Sequence, residues 1–442
     1  NKIYENAFEW RFEFPEVLND DGDFVGFDVV IGNPPWGANL TEQELKFIKS
    51  WNHDIVIRMV DTFMFFVNLS FLIKSKLGLI CQIIPDVILY QIDNTKLRQK
   101  ILNNYQLLIV ANLGDNIFED VTRPSCILQI AHKAYNHYTK VFEYNKKENV
   151  HIDNIIPKEI STSLFNKLPN TIFATRNING YNLLNRFNQS VLSELIDNDG
   201  IQRGISPDLK EAFIVDNAII DKYLLEKDYI FPTITGGRDV NKYLAKDIGK
   251  KIIYTKKTDF ENNIINIIQY ISKYKSRITC TEVKQNKHPF WALHRAREKS
   301  IFEKSEKILG VITGDNISVS IDKNKLYPTD GMYVFSSNGT YSNHFLVGLL
   351  NSKLITYFYR LISMEENRTL AQIKPSILQN LPVSKEFNKE LVKLIEAKTK
   401  LIINKIKSEE PINESVYEID QMIYQLYGLT EEEIEIVENS IK

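Results

Sequence analysis

Two consecutive prolines, Pro34 and Pro35, stand directly after the strand-like run Phe27-Asp28-Val29-Val30-Ile31-Gly32, with Asn33 before them and Trp36 behind. Each proline fixes φ and removes a backbone donor, so the strand ends here and the chain leaves it in a set direction. A continuous apolar run that closes on glycine reads as a strand of a buried parallel sheet, and ligands of such sheets sit at the carboxyl ends of strands. Asn33 to Trp36 thus occupy the place where a ligand is expected.

The residue types at this strand exit suit a flat base that carries an amino group. The lone pair of an exocyclic amine on adenine is delocalised into the ring and attacks an electrophilic methyl group poorly. The Asn33 side-chain oxygen and the Pro34 carbonyl offer two acceptors for its N–H groups, which would draw the nitrogen toward a tetrahedral shape with its lone pair free. Pro35 stiffens the turn. The Trp36 ring gives the base a face to stack on, a contact worth roughly 1–3 kcal/mol. The alternative is a plain turn in which Asn-Pro starts the bend and the second proline rigidifies it.

The stretches Phe8-Glu9-Trp10, Phe12 to Val17 and Phe27 to Trp36 together resemble the DNA adenine-N6 methyltransferases of combined type II, type IIG-like, restriction-modification enzymes. The resemblance implies that Asn33, Pro34, Pro35 and Trp36 are the catalytic motif on which a flipped adenine docks, and that S-adenosylmethionine is the methyl donor. Asp61-Thr62-Phe63-Met64-Phe65-Phe66 resembles the helix after the catalytic strand, which makes Phe66 a cofactor contact, with Phe65 as the rival register. Gly78 to Pro85 resembles the next strand. Leu113-Gly114 followed by Phe118 resembles the segment whose phenylalanine stacks on the target base. Each of these phenylalanines could equally be core.

The family carries a Gly-rich cofactor loop and an acidic ribose-binding residue on strands that precede its Asn-Pro-Pro motif. Neither is visible in the 32 residues before Asn33. The expectation is therefore a C-terminal portion of a longer enzyme, inactive alone, whose cofactor strands and any fused endonuclease lie upstream. Phe27–Ile31 should then form an exposed or re-paired sheet edge, inviting association with another copy.

Along residues 1–150, strand-like runs (Phe27–Ile31, Leu79–Ile84, Leu107–Ala111, Cys126–Ala131) alternate with helix-like ones (Thr41–Trp51, Met59–Lys74, Thr95–Asn103). This predicts an α/β fold with a parallel sheet: a partial, Rossmann-like methyltransferase sheet without its cofactor strands. A connector follows over 151–198, including a helix over Gly180–Ile196. An α+β region of short strands is expected over 199–385, and C-terminal helices over 386–442. The second region resembles a TaqI-like target-recognition domain through Gly200 to Gly204, Phe231-Pro232, Gly236 to Tyr243 and Trp291 to Arg295.

A formal charge of -2 hides an asymmetry. Residues 236–310 hold 17 Lys and Arg against 8 Asp and Glu, whereas 409–442 hold one Lys against 10 acidic residues. The basic segment is interleaved with Tyr270, Tyr274, Phe290 and Trp291, a pattern expected where phosphates and bases are contacted, or of a solvated face over core aromatics. Arg203, Arg238, Lys242, Arg295 and Arg297 are the candidate contacts to double-stranded DNA, arginine being best able to grip a guanine edge in two places. Gly pairs beside them would allow close approach to phosphate.

Cys81, Cys126 and Cys280 are scattered without metal-type spacing, so no metal or disulfide is expected and a cytoplasmic location is the default. The run Phe63–Ile73 is too short for a membrane span. Two rival readings stay open: a DNA-recognition module without turnover, and a protein-glutamine N5 methyltransferase, since a glutamine amide also presents a planar amine.

Overall fold

The computed structural model describes residues 9–115, 117–118, 123–133, 137–144, 154–187, 190–236, 240, 242–363, 371–384 and 386–441. They fall into two compact units, one up to residue 185 and one from 186 onward. Both mix helices with mixed sheets.

The first unit is built on six strands: β1 (Phe27–Gly32), β2 (Lys74–Pro85), β3 (Tyr105–Gly114), β4 (Ser125–His132), β5 (Tyr138–Glu143) and β6 (Lys158–Ser161), in the spatial order β1-β2-β4-β3-β5-β6. The expected all-parallel sheet is corrected here. β1 with β2 and β3 with β5 are parallel, but β4 runs antiparallel to both its neighbours and β6 antiparallel to β5. Residues 115–124 between β3 and β4 are too few for a helical crossover, so the chain returns antiparallel. Apolar runs could not show this, because a strand buried on both faces reads the same in either direction.

Among the described residues β1 ends the sheet and pairs with β2 alone, from Phe27 opposite Lys74 to Gly32 opposite Gln82. Val29 and Ile31 are 56% and 76% exposed. Before β1, the chain doubles back on itself: Val25 N–H donates to the Val17 carbonyl (2.8 Å), and the Phe27 ring meets Phe14 edge-on at 5.2 Å. Behind the sheet, the Thr62–Ile73 helix buries Phe63, Met64, Phe65 and Val67, and the Thr95–Asn104 helix buries Leu97 and Ile101.

Arg98 is wholly buried in that second helix. Its guanidinium donates to the carbonyls of Ile88 (2.8 Å), Gln91 (2.9 Å), Asn170 (2.8 Å) and Thr171 (3.1 Å). Burial lowers its pKa, but this ring of acceptors keeps the group cationic. The stretch expected as a connector, 151–198, is divided between the units: β6 joins the first sheet, and Ser190–Val191 pairs with Pro382–Val383 in the second unit. The helix expected over Gly180–Ile196 forms over Ile178–Arg186.

In the second unit a five-stranded sheet runs in the order Tyr243–Leu244, Val319–Asp322, Lys307–Val311, Met332–Phe335, Gln202–Arg203. Its three central strands are buried at every residue. Within them Lys307 and Asp322 form a fully buried ion pair; Lys307 also donates to the Phe302 carbonyl (2.7 Å), and Asp322 accepts from Leu326 N–H (2.9 Å). A four-stranded sheet (Tyr327–Pro328, Ile230–Ile234, Lys251–Ile253, Ile214–Val215) shares the core with Ile267, Tyr270, Trp291 and Phe302.

Helices follow. Asn343–Leu350 packs on Lys389–Lys407, and Asn413–Leu426 and Glu431–Ser440 close the chain. Gly428 at φ +56° ends the former, and Thr430 with Glu433 forms a capping box that opens the latter. No described helix is long and apolar enough to cross a membrane.

Candidate functional site

At the end of β1 the chain turns outward. Asn33 is exposed, and among the described residues nothing hydrogen-bonds its side-chain amide; Pro34 is buried and Pro35 exposed. The turn beyond is held from the start of the Thr62–Ile73 helix. Thr62 Oγ1 donates to the Pro35 carbonyl (2.7 Å) and accepts from Ala38 N–H (3.3 Å). Asp61 Oδ1 accepts from Gly37 N–H (2.8 Å), while its Oδ2 pairs with Arg123 Nη2 at 2.6 Å. Gly37 sits at φ +72°, a left-handed conformation that favours glycine and lets its N–H point back at Asp61.

Asp61, expected inside the helix-like run Met59–Lys74, is instead the residue before the helix, where a carboxylate would normally cap the first turn. It makes no side-chain cap here. The carboxylate is spent instead on the turn after the proline pair. Asp61, Thr62 and Arg123 are therefore positioning residues that sequence reasoning passed over, and the uncapped helix start is visible only in three dimensions.

The structure brings both base-stacking candidates together: the rings of Trp36 and Phe118 lie 5.6 Å apart, edge to face at 75°. Both are half-buried, and the buried indole N–H of Trp36 has no hydrogen-bond partner among the described residues. On the helix, Phe65 is buried and Phe66 is 41% exposed. Of the two registers, Phe66 has the ring free to meet a ligand.

In the second unit three of the five candidate DNA contacts converge. Arg203, on the outer strand opposite Tyr333, and Arg295 are both exposed, and their charges, after burial, help to hold the Arg297 guanidinium below its ordinary pKa. Arg297 Nε donates to the Gly204 carbonyl (3.4 Å), and the Arg297 carbonyl accepts from Tyr254 Oη (2.5 Å). No carboxylate among the described residues pairs with Arg203 or Arg295, whereas Lys251, Lys256, Lys304 and Lys307 are all ion-paired. Like charges crowded without counter-charge are an arrangement that an anionic ligand relieves.

Lys242 stands apart from this group, its ammonium acting on the charge of Asp420. Arg238 lies outside the described residues. Two further expectations are corrected. Tyr270 and Trp291 are buried core residues, Trp291 donating to Glu261 Oε1 (3.2 Å), because the apolar spacing of a helix and a turn claims them. Gly204 serves packing: a Cβ there would meet the Thr329 carbonyl oxygen at 2.2 Å, so the strand needs glycine for its neighbour rather than for a phosphate.

Residues 1–118 match the family described as Eco57I restriction-modification methylase, and residues 233–383 match the TaqI-like C-terminal specificity domain. These matches liken the first part of the chain to a restriction-modification methylase and a later part to a TaqI-like specificity domain. A relative from Methanocaldococcus jannaschii, RM.MjaORFECS2P, whose description reads type II restriction enzyme and methyltransferase, is 24% identical over 437 residues, covering 95% of this chain and 32% of its own length. The chain thus spans about a third of that relative. The solved Type IIL restriction-modification enzyme MmeI, in complex with DNA, shares the fold at a TM-score of 0.59 and 12% identity, over 93% of this chain and 57% of MmeI. The methylase match contains Asn33–Trp36, Asp61, Thr62, Phe66 and Phe118; the specificity match contains Lys242, Arg295 and Arg297, with Arg203 ahead of it.

Proposed function

We propose that this methylase takes part in site-specific methylation of adenine N6 in duplex DNA, the target base being flipped out of the helix onto Asn33–Trp36. The observation that carries the reading is the unengaged Asn33 amide at the exit of β1, beside the Trp36–Phe118 aromatic pair. Residues up to about 150 supply this chemistry; 199–385 supply the recognition surface, with Arg203, Arg295 and Arg297 as its cationic core.

The chain's own residues would act as follows. Trp36 and Phe118 take up the base by ring contacts, and the Asn33 Oδ1 and the Pro34 carbonyl accept the two N–H bonds of its amine. This gathers the lone pair on nitrogen, an interaction stronger in the transition state than in the ground state. Asp61, Thr62 and Arg123 hold the turn so that no reorganisation is needed at the moment of attack. After transfer, the surplus proton on nitrogen leaves to solvent.

S-adenosylmethionine, when bound, supplies a methyl group on a sulfonium centre. The residues present fit part of its site: Phe66 offers an exposed ring on a helix whose neighbouring positions are buried. The exposed edge and the apolar Val29 and Ile31 of β1 support a further element pairing there to complete the donor site, so this chain by itself is expected to turn over little or not at all.

The test is transfer of labelled methyl groups from S-adenosylmethionine to duplex DNA, against a glutamine-containing peptide, by the whole protein and its Asn33→Ala variant. Transfer to DNA at N6 that is lost in the variant while DNA binding persists supports the reading. Transfer to the peptide alone would move it to a glutamine methyltransferase, a rival that the unpaired arginines of the second unit disfavour.

A further inference from the structure

The Thr281–Lys284 turn and the segment that carries Arg295 meet through three side chains that the reading above leaves unused. Cys280 Sγ donates to Glu282 Oε2 (3.6 Å), and His294 Nε2 lies 2.9 Å from the same oxygen. The three ligand-type atoms all lie within 4.8 Å of one another. For a tetrahedral ion bound at about 2.3 Å to sulfur and about 2.0 Å to nitrogen and oxygen, adjacent donors stand about 3.3–3.5 Å apart. The Cys280–Glu282 and Glu282–His294 separations need shifts of only a few tenths of an ångström, and the donors are of three kinds.

We propose that Cys280, Glu282 and His294 form a binding site for a zinc-class divalent ion, which clips the Thr281–Lys284 turn to the arginine-bearing segment.

Both arms of the cluster are already anchored to the same short stretch of chain. Asp208 Oδ2 accepts from the backbone N–H groups of Thr279 (2.7 Å) and Cys280 (3.1 Å). Ser206 and Arg295 exchange two backbone hydrogen bonds of 3.1 Å, and Leu293 N–H donates to the Thr255 carbonyl (2.9 Å). The donors therefore converge on a rigid frame, so little order has to be imposed when an ion arrives. Glu282 Oε2 is the atom that both other donors already face.

Donor chemistry selects the ion. A thiolate with an imidazole favours zinc or cobalt over calcium or magnesium, which prefer oxygen. Binding requires that the Cys280 thiol release its proton to solvent and that His294 Nε2 give up its proton, to Nδ1 or to solvent, so that its lone pair can reach the metal. Thiolate and carboxylate cancel the charge of the ion, so the site passes from the single negative charge of Glu282 to neutral and the basic surface gains one positive charge. The fourth position is left to water; His288, its ring 6.2 Å from that of His294, directs Nε2 at the Ala292 carbonyl (3.4 Å) instead.

Cobalt(II) titration of the full chain, with zinc(II) as competitor, tests this. One cobalt per chain is expected, with a thiolate-to-cobalt charge-transfer band that zinc displaces. Cys280→Ser should abolish the band, and His294→Gln should weaken binding at least about tenfold with the fold intact by circular dichroism. A band that survives in Cys280→Ser would assign it to Cys81 or Cys126 and overturn the site. Unchanged affinity in His294→Gln would reduce it to a lone thiol, and no saturable binding of cobalt below about 100 μM would remove it.

Discussion

The two units treat their sheets in opposite ways. In the second, the strands Lys307–Val311, Val319–Asp322 and Met332–Phe335 are buried at every position, even at the cost of enclosing a Lys–Asp ion pair. In the first, the strand that carries the candidate chemistry is the outermost one, with Val29 and Ile31 facing solvent. The difference concerns where each unit keeps its candidate residues. The second encloses its central strands and sets Arg203 and Arg295 on its outside, where no carboxylate among the described residues pairs with them. The first leaves the strand of the candidate site half-covered, and the turn after it hangs from side chains of the following helix.

The contrast can be broken by experiment. The largest effect is expected at the half-covered strand: on the proposed function, Asn33→Ala should lower methyl transfer by the whole protein about 10²–10³-fold or more with DNA affinity kept, and a loss under tenfold would remove the amide from the chemistry. Next, Ile308→Ala in the closed sheet should cost about 2–5 kcal/mol in urea unfolding, since the side chain is fully buried.

A smaller and opposite effect is expected at Asp420, whose carboxyl is pushed up to about 6 by burial, against the backbone bond from Lys353 N–H (2.9 Å) and the charges of Lys353 and Lys242. The unfolded carboxyl titrates at 3.8. Between about pH 4 and 6 the folded chain holds this proton more tightly, so the group's contribution is full below about 4 and is lost as pH rises through about 6. Asp420→Asn should therefore raise stability at pH 7.5 by about 3 kcal/mol and flatten the pH dependence in that window; a fall in stability would show that the charge on Lys242 outweighs the burial. Thr430→Ala removes a capping box and should cost about 1 kcal/mol. Smallest of all, Ile31→Ser should change unfolding of this chain by less than about 0.5 kcal/mol, and a larger loss would mean that β1 is covered in solution.

Much of this was legible beforehand where a local rule decides. The helix-like run Thr41–Trp51 forms as Glu42–Trp51, opened by the reciprocal capping box of Thr41 and Glu44. The strands at 251–253, 307–311 and 332–335 lie within the 199–385 region where short strands were expected. Strand direction was not legible, and neither was the fate of Tyr270 and Trp291: whether an aromatic in a basic segment faces water or core is set by partners far off in sequence.

The sequence by itself determined that a strand ends at Gly32 and that Asn33, Pro34, Pro35 and Trp36 leave it as a stiff turn, because proline acts through its own covalent geometry. It also carried the likeness to a methylase joined to a specificity domain. Tertiary structure alone decided that Asp61 gives up its helix cap to hold that turn, that Trp36 meets Phe118, that Arg203, Arg295 and Arg297 crowd together, and that Cys280 meets His294. Each of these is a meeting of residues distant in the chain. Which of them meet depends on the direction in which every strand between them runs, and that is settled by packing the whole sheet at once.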